Sequence, residues 1–211
     1  MPGVRRGSMI LADGDINGAV KEAARIFTEG GVFIYPTDTI YGIGGDPFNP
    51  DCTLRINKMK RRDESKKFIF LADNLQRLTG YTDVAMEKHF DFLDAVWPDP
   101  VSVILKLNHQ TVALLGQTTA GFRVPRSGFC VSLIAEVKKP LISTSVNRSG
   151  GGPMTEPDAI YCEFGSEVNA VFYTEKKLLR LGSTIIDLTD SVPVLVREGA
   201  VKFSELMGKF R

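Results

Sequence analysis

Apolar positions along the chain follow two periods, and the two alternate from one end to the other. They recur at helical spacing over residues 16–27, with Asp13 or Asp15 as a cap and glycines at 30–31 as a stop, which predicts a helix. Residues 32–35 form a short apolar run typical of a buried strand. The same patterns predict further helices over 49–59, 86–97, 129–137 and 155–164, and further strands over 68–71, 102–107, 121–124, 141–145, 170–173, 183–187 and 194–197. This interleaving favours an α/β (α+β) fold with helices packed on a mixed sheet.

Local signals refine three of these segments. Asn49 before Pro50 marks a helix start, and Thr155 followed by Asp158 predicts a capping box for the last predicted helix. His109 lies near a predicted turn, and we expect a structural role for it.

Length and composition are those of an ordinary globular protein. We expect one domain over residues 1–211, with its core at about 16–201, since 211 residues can bury a core without disulfides. Hydrophobic residues make up 43% of the chain, and 26 basic against 25 acidic residues leave a net charge of +1. That balance excludes a general attraction to nucleic acid or membrane, so such a partner would have to meet a local patch.

Cysteine usage and hydropathy predict a soluble, cytoplasmic protein. The three cysteines are widely spaced, which argues against a zinc site and against a disulfide framework. Residues 1–15 contain no apolar stretch and do not resemble a secretory signal. The longest apolar runs are too short to cross a bilayer, so we expect no membrane partner.

Candidate chemistry begins in the loop after the strand at 32–35. Its sequence, PTDTIYGIG at 36–44, combines two threonine hydroxyls, a carboxylate, a phenol and glycines. Mixed α/β sheets bind ligands at strand ends of this kind. A polar turn closed by its own side-chain hydrogen bonds is an equal alternative.

A basic run, KMKRRDESKK, occupies residues 58–67. Its six basic and two acidic residues leave a local charge of about +4. Such a run could bind a triphosphate or an RNA backbone, or it could form a solvated surface. The pattern alone leaves the three interpretations open.

Polar residues also interrupt or end later strands. Arg123 lies in an apolar strand, where it requires either an internal carboxylate or an anionic ligand. In STSVNRSGGG at 143–152, alternate residues share a face of an extended chain, and the glycines permit close approach to a phosphate or a base. Arg197, at the end of the last predicted strand, is a second candidate phosphate contact.

Taken in order, these segments resemble the YrdC-type family of L-threonylcarbamoyladenylate synthases. That family reads PT-E/D-T-x-Y-G, K-x-R, T-x-x-x-R-x-P, S-x-N-x-SG, ST-x-x-D and R-x-G. The matching residues are 36–42, 60–62, 119–125, 145–150, 183–187 and 197–199. Six motifs in one order make the resemblance specific.

The resemblance implies a twisted mixed sheet around a deep basic cavity. It also implies a reaction in which L-threonine, bicarbonate and ATP give threonylcarbamoyl-AMP and pyrophosphate. A downstream tRNA threonylcarbamoyl transferase complex would use the product for the N6-threonylcarbamoyladenosine modification at position 37 of tRNA.

The resemblance also implies residue roles. Four residues would bind threonine: Thr39, Arg123, Ser143 and Ser183. Six would bind ATP: Lys60, Arg62, Thr119, Ser145, Asn147 and Arg197. Lys60 and Arg62 are the implied catalytic groups, since their charge, with Mg²⁺ bound to ATP, would stabilise the departing pyrophosphate. No protein side chain is assigned to a metal.

Some positions depart from the family pattern and keep other functions open. Where the family commonly has proline, proline and leucine, this chain has Asp63, Lys67 and Phe68, which favours the YciO-like branch. The end of the chain at Arg211, soon after the last motif, predicts the short, stand-alone form. The alternatives are a module that binds double-stranded RNA or tRNA without chemistry, and a carbamoyl-transfer protein with another amine acceptor.

Overall fold

The computed structural model describes residues 7–63, 66–84 and 86–210. The first six residues, and residues 64–65 of the basic run, lie outside the described residues. Within those ranges the strands are β1 (Ser8–Leu11), β2 (Phe33–Pro36), β3 (Tyr41–Gly44), β4 (Ile69–Leu71), β5 (Val101–Lys106), β6 (Thr119–Arg123), β7 (Leu141–Ser145), β8 (Ala170–Tyr173), β9 (Thr184–Asp187) and β10 (Val194–Arg197). The helices are α1 (Ile16–Thr28), α2 (Pro50–Lys60), α3 (Leu75–Thr79), α4 (Glu87–Val96), α5 (His109–Leu115), α6 (Gly128–Val137), α7 (Pro157–Phe164) and α8 (Phe203–Met207).

The ten strands form one sheet in the order β1-β8-β2-β3-β7-β4-β6-β5-β9-β10. Parallel pairs join β8 to β1 and β2, β4 to β6, and β5 to β9. The remaining neighbours are antiparallel. The sheet is therefore mixed, and the predicted fold class is confirmed.

Strand β2 is buried on both faces, as its continuous apolar sequence predicts. Ile34 faces the larger apolar cluster, whereas Phe33 and Tyr35 face a second cluster that contains the buried sides of α1 and α6. Successive side chains of a strand point to opposite faces, so β2 connects both clusters and its end is held firmly. The loop that follows it therefore starts from a fixed position.

Helix α2 begins and ends at residues with a clear structural role. The side chain of Asn49 accepts hydrogen bonds from two backbone N–H groups of the first turn, and Pro50 follows it, as the sequence predicts. At the other end, Arg61 adopts a left-handed conformation with φ of 51°. The chain therefore turns directly after Lys60, and the side chains of Lys60 and Arg62 reach different partners.

One local prediction, the capping box at Thr155, is wrong. The hydroxyl of Thr155 donates to the side chain of Glu156, and α7 begins without a side-chain cap, so no capping box forms. His109 is the first residue of α5, whose N-terminus is capped by Asn108. No helix in the described ranges is long and apolar enough to cross a membrane.

Candidate functional site

A cavity of about 510 Å³ lies where several strand ends meet. Its walls come from the β2–β3 loop, from strands β3 to β7, and from residues in and beside β9 and β10. Six of the ten predicted site residues line it: Thr39, Arg123, Ser143, Ser145, Ser183 and Arg197. The other four each contact a residue that does: Lys60, Arg62, Thr119 and Asn147.

The β2–β3 loop is closed by hydrogen bonds of Thr37. Its hydroxyl donates to the carbonyl of Ile40 at 2.7 Å and accepts from the backbone N–H groups of Thr39 and Ile40 at 3.0 and 3.2 Å. The Thr39 hydroxyl lies 2.9 Å from that of Thr37 and is buried. The turn therefore closes on itself, as one interpretation predicts. It also presents Thr39 to the cavity, where ligand binding stays a prediction.

Arg123, at the end of β6, is the buried cation of the cavity wall. Its Nη1 donates to Thr39 Oγ1 at 2.9 Å, its Nη2 to Asp38 Oδ2 at 2.6 Å, and its Nε to the carbonyl of Asp99 at 3.3 Å. Burial lowers the pKa of the guanidinium, and the nearby Asp38 carboxylate opposes that shift. Arg123 thus has an internal carboxylate, which confirms the first alternative, and it also lines the cavity, where an anionic ligand stays a prediction.

Hydroxyls and a second arginine form another part of the wall. Ser183 Oγ lies 2.7 Å from Ser102 Oγ, which joins the start of β9 to β5. The guanidinium of Arg197 donates to the carbonyl of Ser183 at 2.9 Å. In β3, a Cβ atom at Gly42 would lie 3.1 Å from Tyr35 Cζ and 3.2 Å from Ser143 Oγ, so glycine allows both side chains to pack closely against β3.

Lys60 holds the turn after β7. Its ammonium donates to the backbone carbonyls of Ser145 and Asn147 and to Asn147 Oδ1, the last two at 3.0 Å. Ser145 Oγ donates to the same Oδ1 at 2.6 Å. Burial, with Arg62 and Arg148 nearby, lowers the pKa of Lys60 to about 8. In this structure Lys60 therefore positions Ser145 and does not itself line the cavity.

Arg62 is also used by the protein itself. Its Nε donates to Asn57 Oδ1 at 2.7 Å, its Nη2 donates to the carbonyl of Lys66 at 2.6 Å, and the guanidinium stacks 3.9 Å from the centre of the Phe68 ring. Its Nη1 lies 3.5 Å from Thr144 Oγ1, and burial lowers its pKa. Arg62 therefore orders the segment between α2 and β4.

Sequence reasoning missed two cations that line the cavity. Lys67 donates to Thr119 Oγ1 at 2.7 Å. Arg180 donates its backbone N–H to the carbonyl of Thr39 at 3.1 Å and its guanidinium to Glu156 at 3.0 Å. Lys67 could have been found because it belongs to the basic run. For Arg180, the only indication in the sequence was its position three residues before Ser183.

Metal ligands do not cluster in the described part of the chain. There, no group of three or more histidine, cysteine, aspartate or glutamate side chains could hold a metal ion. Glu198 is the carboxylate among the residues that line the cavity, and it accepts a hydrogen bond from the backbone N–H of Phe203 at 3.0 Å. A protein-held metal therefore has no ligand set within these residues.

A known family model matches most of the chain. The Sua5/YciO/YrdC model, whose description is "Telomere recombination", covers residues 25–199. The chain belongs to the Sua5/YciO/YrdC family. This membership confirms the resemblance inferred from the motifs.

Solved structures of Sua5 and YciO proteins share the fold. E. coli YciO is 25% identical, with a TM-score of 0.84 over 98% of this chain and 99% of that one. A crystal structure of P. abyssi Sua5 complexed with L-threonine is 23% identical, with a TM-score of 0.86 over 97% of this chain. This chain spans only 61% of the P. abyssi protein. T. kodakarensis HypF shares the fold at 17% identity, with a TM-score of 0.73 over 88% of this chain and 24% of that one.

Proposed function

We propose that this chain is an L-threonylcarbamoyladenylate synthase. Six residues that the motifs assign to threonine and ATP converge on one cavity, and this observation carries the proposal. Membership of the Sua5/YciO/YrdC family supports it, as does the L-threonine complex of P. abyssi Sua5. The proposed enzyme is an ATP-dependent nucleotidyltransferase of the cytoplasm.

Threonine would bind beside the β2–β3 loop. Arg123 uses three of its five N–H donors on the protein, so two remain for the substrate carboxylate. The Thr39 hydroxyl uses one of its three hydrogen-bonding positions on Arg123 and one on Thr37, so the third would be left for the substrate. The hydroxyls of Ser143 and Ser183 would fix the threonine side chain.

ATP would lie along Ser145 and Arg197. Lys60 and Asn147 would act as positioning residues for Ser145, and the positive charge of Lys60 and Arg62 would favour the phosphates at short range. Mg²⁺ would arrive bound to the phosphates of ATP, because the described residues contain no cluster that could hold the ion.

In the proposed reaction the threonine amine attacks bicarbonate, and water leaves to give a carbamate. A carbamate oxygen then attacks the α-phosphorus of ATP, and the bond between that phosphorus and pyrophosphate breaks. The cavity would act by holding the two substrates together and by balancing charge, without a covalent intermediate on the protein. The product would pass to a tRNA threonylcarbamoyl transferase complex.

Release of pyrophosphate tests this function. The protein is incubated with ATP, Mg²⁺, bicarbonate and each amino acid in turn, and reactions without bicarbonate serve as the control. We expect release that requires both threonine and bicarbonate. Release that requires a different amine would support a carbamoyl-transfer protein with another acceptor, and no release with any amino acid would exclude a synthase.

Binding of double-stranded RNA without chemistry is not favoured. In the basic run, Lys60 is buried and Arg62 is hydrogen-bonded within the protein, so neither is available to a nucleic-acid backbone. Lys58, Arg61, Lys66 and Lys67 are exposed, and Lys67 donates to Thr119 beside the cavity. Among its described residues, the exposed cations of the run are therefore interrupted by Lys60 and Arg62, which bond within the protein.

A further inference from the structure

Lys67 places its ammonium at the cavity, although it belongs to none of the family motifs. It lies between Arg62 and β4, and its Nζ donates to Thr119 Oγ1 at 2.7 Å, at the start of β6. The residue is exposed overall, but it belongs to the cavity lining. The ammonium is thus fixed at the cavity by a hydroxyl from a neighbouring strand.

This ammonium keeps donors that the described residues do not use. A lysine has three N–H donors, and Thr119 accepts one of them. Among the described residues no carboxylate pairs with Lys67, whereas Lys139 is paired with Asp46 at 2.9 Å. The ammonium of Lys60 also differs from that of Lys67, because three loop oxygens surround it. Within the described part of the chain, Lys67 therefore has two donors and a charge without a carboxylate partner, and both are available to a ligand.

The other cations of the cavity wall are more fully engaged. Arg123 is paired with Asp38, and Arg180 is paired with Glu156. Arg197 donates to a carbonyl and has no carboxylate partner among the described residues. Lys67 and Arg197 are thus the lining cations whose charge is not balanced by the described part of the protein. Lys67 precedes β4 and Arg197 ends β10, so the two cations come from different parts of the sheet, as would suit an extended polyanion.

We propose that Lys67, held by Thr119, binds a phosphate oxygen of the nucleotide. The assignment rests on the proposed function, because it takes ATP as the polyanion. It also gives Thr119 a role, since that hydroxyl does not line the cavity but fixes the ammonium that does. An ammonium is a compact point charge, suited to a phosphate oxygen whose exact direction varies during transfer.

The test compares ATP affinity in Lys67→Met with that in Lys58→Met. Lys58 belongs to the same basic run, is exposed and does not line this cavity, so its variant loses the same net charge away from the ligand. We expect Lys67→Met to weaken ATP binding about tenfold, the value of one hydrogen bond to a charged group. Lys58→Met should change it by less than about twofold. Adenosine, which has no phosphate, should bind equally to both variants and to wild type.

A double-mutant cycle tests the part played by Thr119. If its hydroxyl acts by holding Lys67, Thr119→Val should cost little further affinity in the Lys67→Met background. Fully additive losses would overturn this coupling. Circular dichroism and thermal melting establish that each variant is folded, and Lys67→Arg, which keeps the charge, should retain most of the ATP affinity.

The outcomes separate this assignment from the proposed function. If wild type binds ATP and Lys67→Met binds it equally well, the role of Lys67 is wrong and the synthase proposal stands. If adenosine and ATP lose affinity equally, Lys67 shapes the cavity and does not bind phosphate. If wild type binds no ATP, both proposals fail.

Discussion

Arg123, which lines the cavity, forms an ion pair with Asp38 behind it in the β2–β3 loop, with 2.6 Å between Nη2 and Oδ2. Asp38 Oδ1 is buried and has no hydrogen-bond partner among the described residues. A buried charge whose partner is removed costs several kcal/mol, because neither water nor another group replaces the contact. Asp38 therefore balances the guanidinium that would bind the substrate carboxylate.

Substitution of Arg123 should affect both stability and turnover, and a second substitution should separate the two effects. Arg123→Ala is expected to lower the free energy of unfolding by about 3 kcal/mol, because Asp38 is left unpaired. Arg123→Ala with Asp38→Ala should recover much of that loss in urea denaturation. Neither variant should release threonine-dependent pyrophosphate. Turnover in the double variant would show that Arg123 does not bind the substrate.

Lys60 should give the activity an alkaline limit. Its pKa is lowered to about 8, mainly by burial, and the protonated form has the three hydrogens that three loop oxygens require. The protonated form of Lys60, which holds the loop, is therefore lost as the pH rises through about 8. The kcat/KM for ATP should fall above that pH in wild type, and Lys60→Arg, which stays charged, should lack this limb. A wild-type profile that stays flat into alkaline pH would contradict this role.

Among the secondary-structure elements, α2 and α7 hold the glycine-rich loop after β7 through Arg148. Its guanidinium donates to Glu163 at 2.8 Å and to Glu167 at 2.5 Å. It also donates to the carbonyl of Met59 and stacks 4.2 Å from the ring centre of Phe164. Asn147, which supports Ser145, is its neighbour in the chain. The position of the proposed ATP wall therefore depends on how these two helices are held.

Arg148→Met should raise the KM for ATP several-fold and leave the KM for threonine nearly unchanged, because it loosens one end of the cavity only. Arg55→Met is the matched control. Arg55 joins α2 to Asn169 and to the carbonyl of Glu167 at 2.9 and 2.7 Å, without contacting the loop. Steady-state kinetics with each substrate varied provides the measurement. An equal rise in both KM values would indicate general destabilisation instead.

Elements with a strong local pattern could be predicted from the sequence. Strands β7, β8 and β10 begin and end at the predicted residues. Strand β3 could not be predicted, because two of its four residues are glycines, and it exists through its pairing with β2 and β7. Short helices such as α3 and α8, with five residues each, also lack a clear period.

The site shows the same division between local and long-range information. The motifs identified the polar residues of the cavity, since each lies at a strand end or in a neighbouring loop. They could not show that the ammonium of Lys60 turns towards the Ser145 loop, because that depends on how α2 meets β7. The contact between Lys67 and Thr119, 52 positions apart, likewise follows from the parallel pairing of β4 with β6.

Across the whole molecule, positive and negative charge nearly cancel, since the net charge is +1. Two arginines of the motif segments also have carboxylate partners. Arg123 pairs with Asp38, and Arg148 pairs with Glu163 and Glu167. Long-range attraction of a large polyanion is therefore weak, while a small anion inside the cavity can still meet individual cations.

This distribution predicts that double-stranded RNA neither binds tightly nor competes with ATP. At physiological salt, titration with duplex RNA should show no saturable binding, and RNA in excess should leave ATP affinity unchanged. A surface that contacted about four phosphates would instead show a log–log salt dependence with a slope of roughly −3. If such a slope appeared and was lost in Lys58→Ala with Arg61→Ala, the exposed part of the basic run would be an RNA surface. Because those two residues do not line the cavity, that result would add a second binding surface without removing the proposed synthase site.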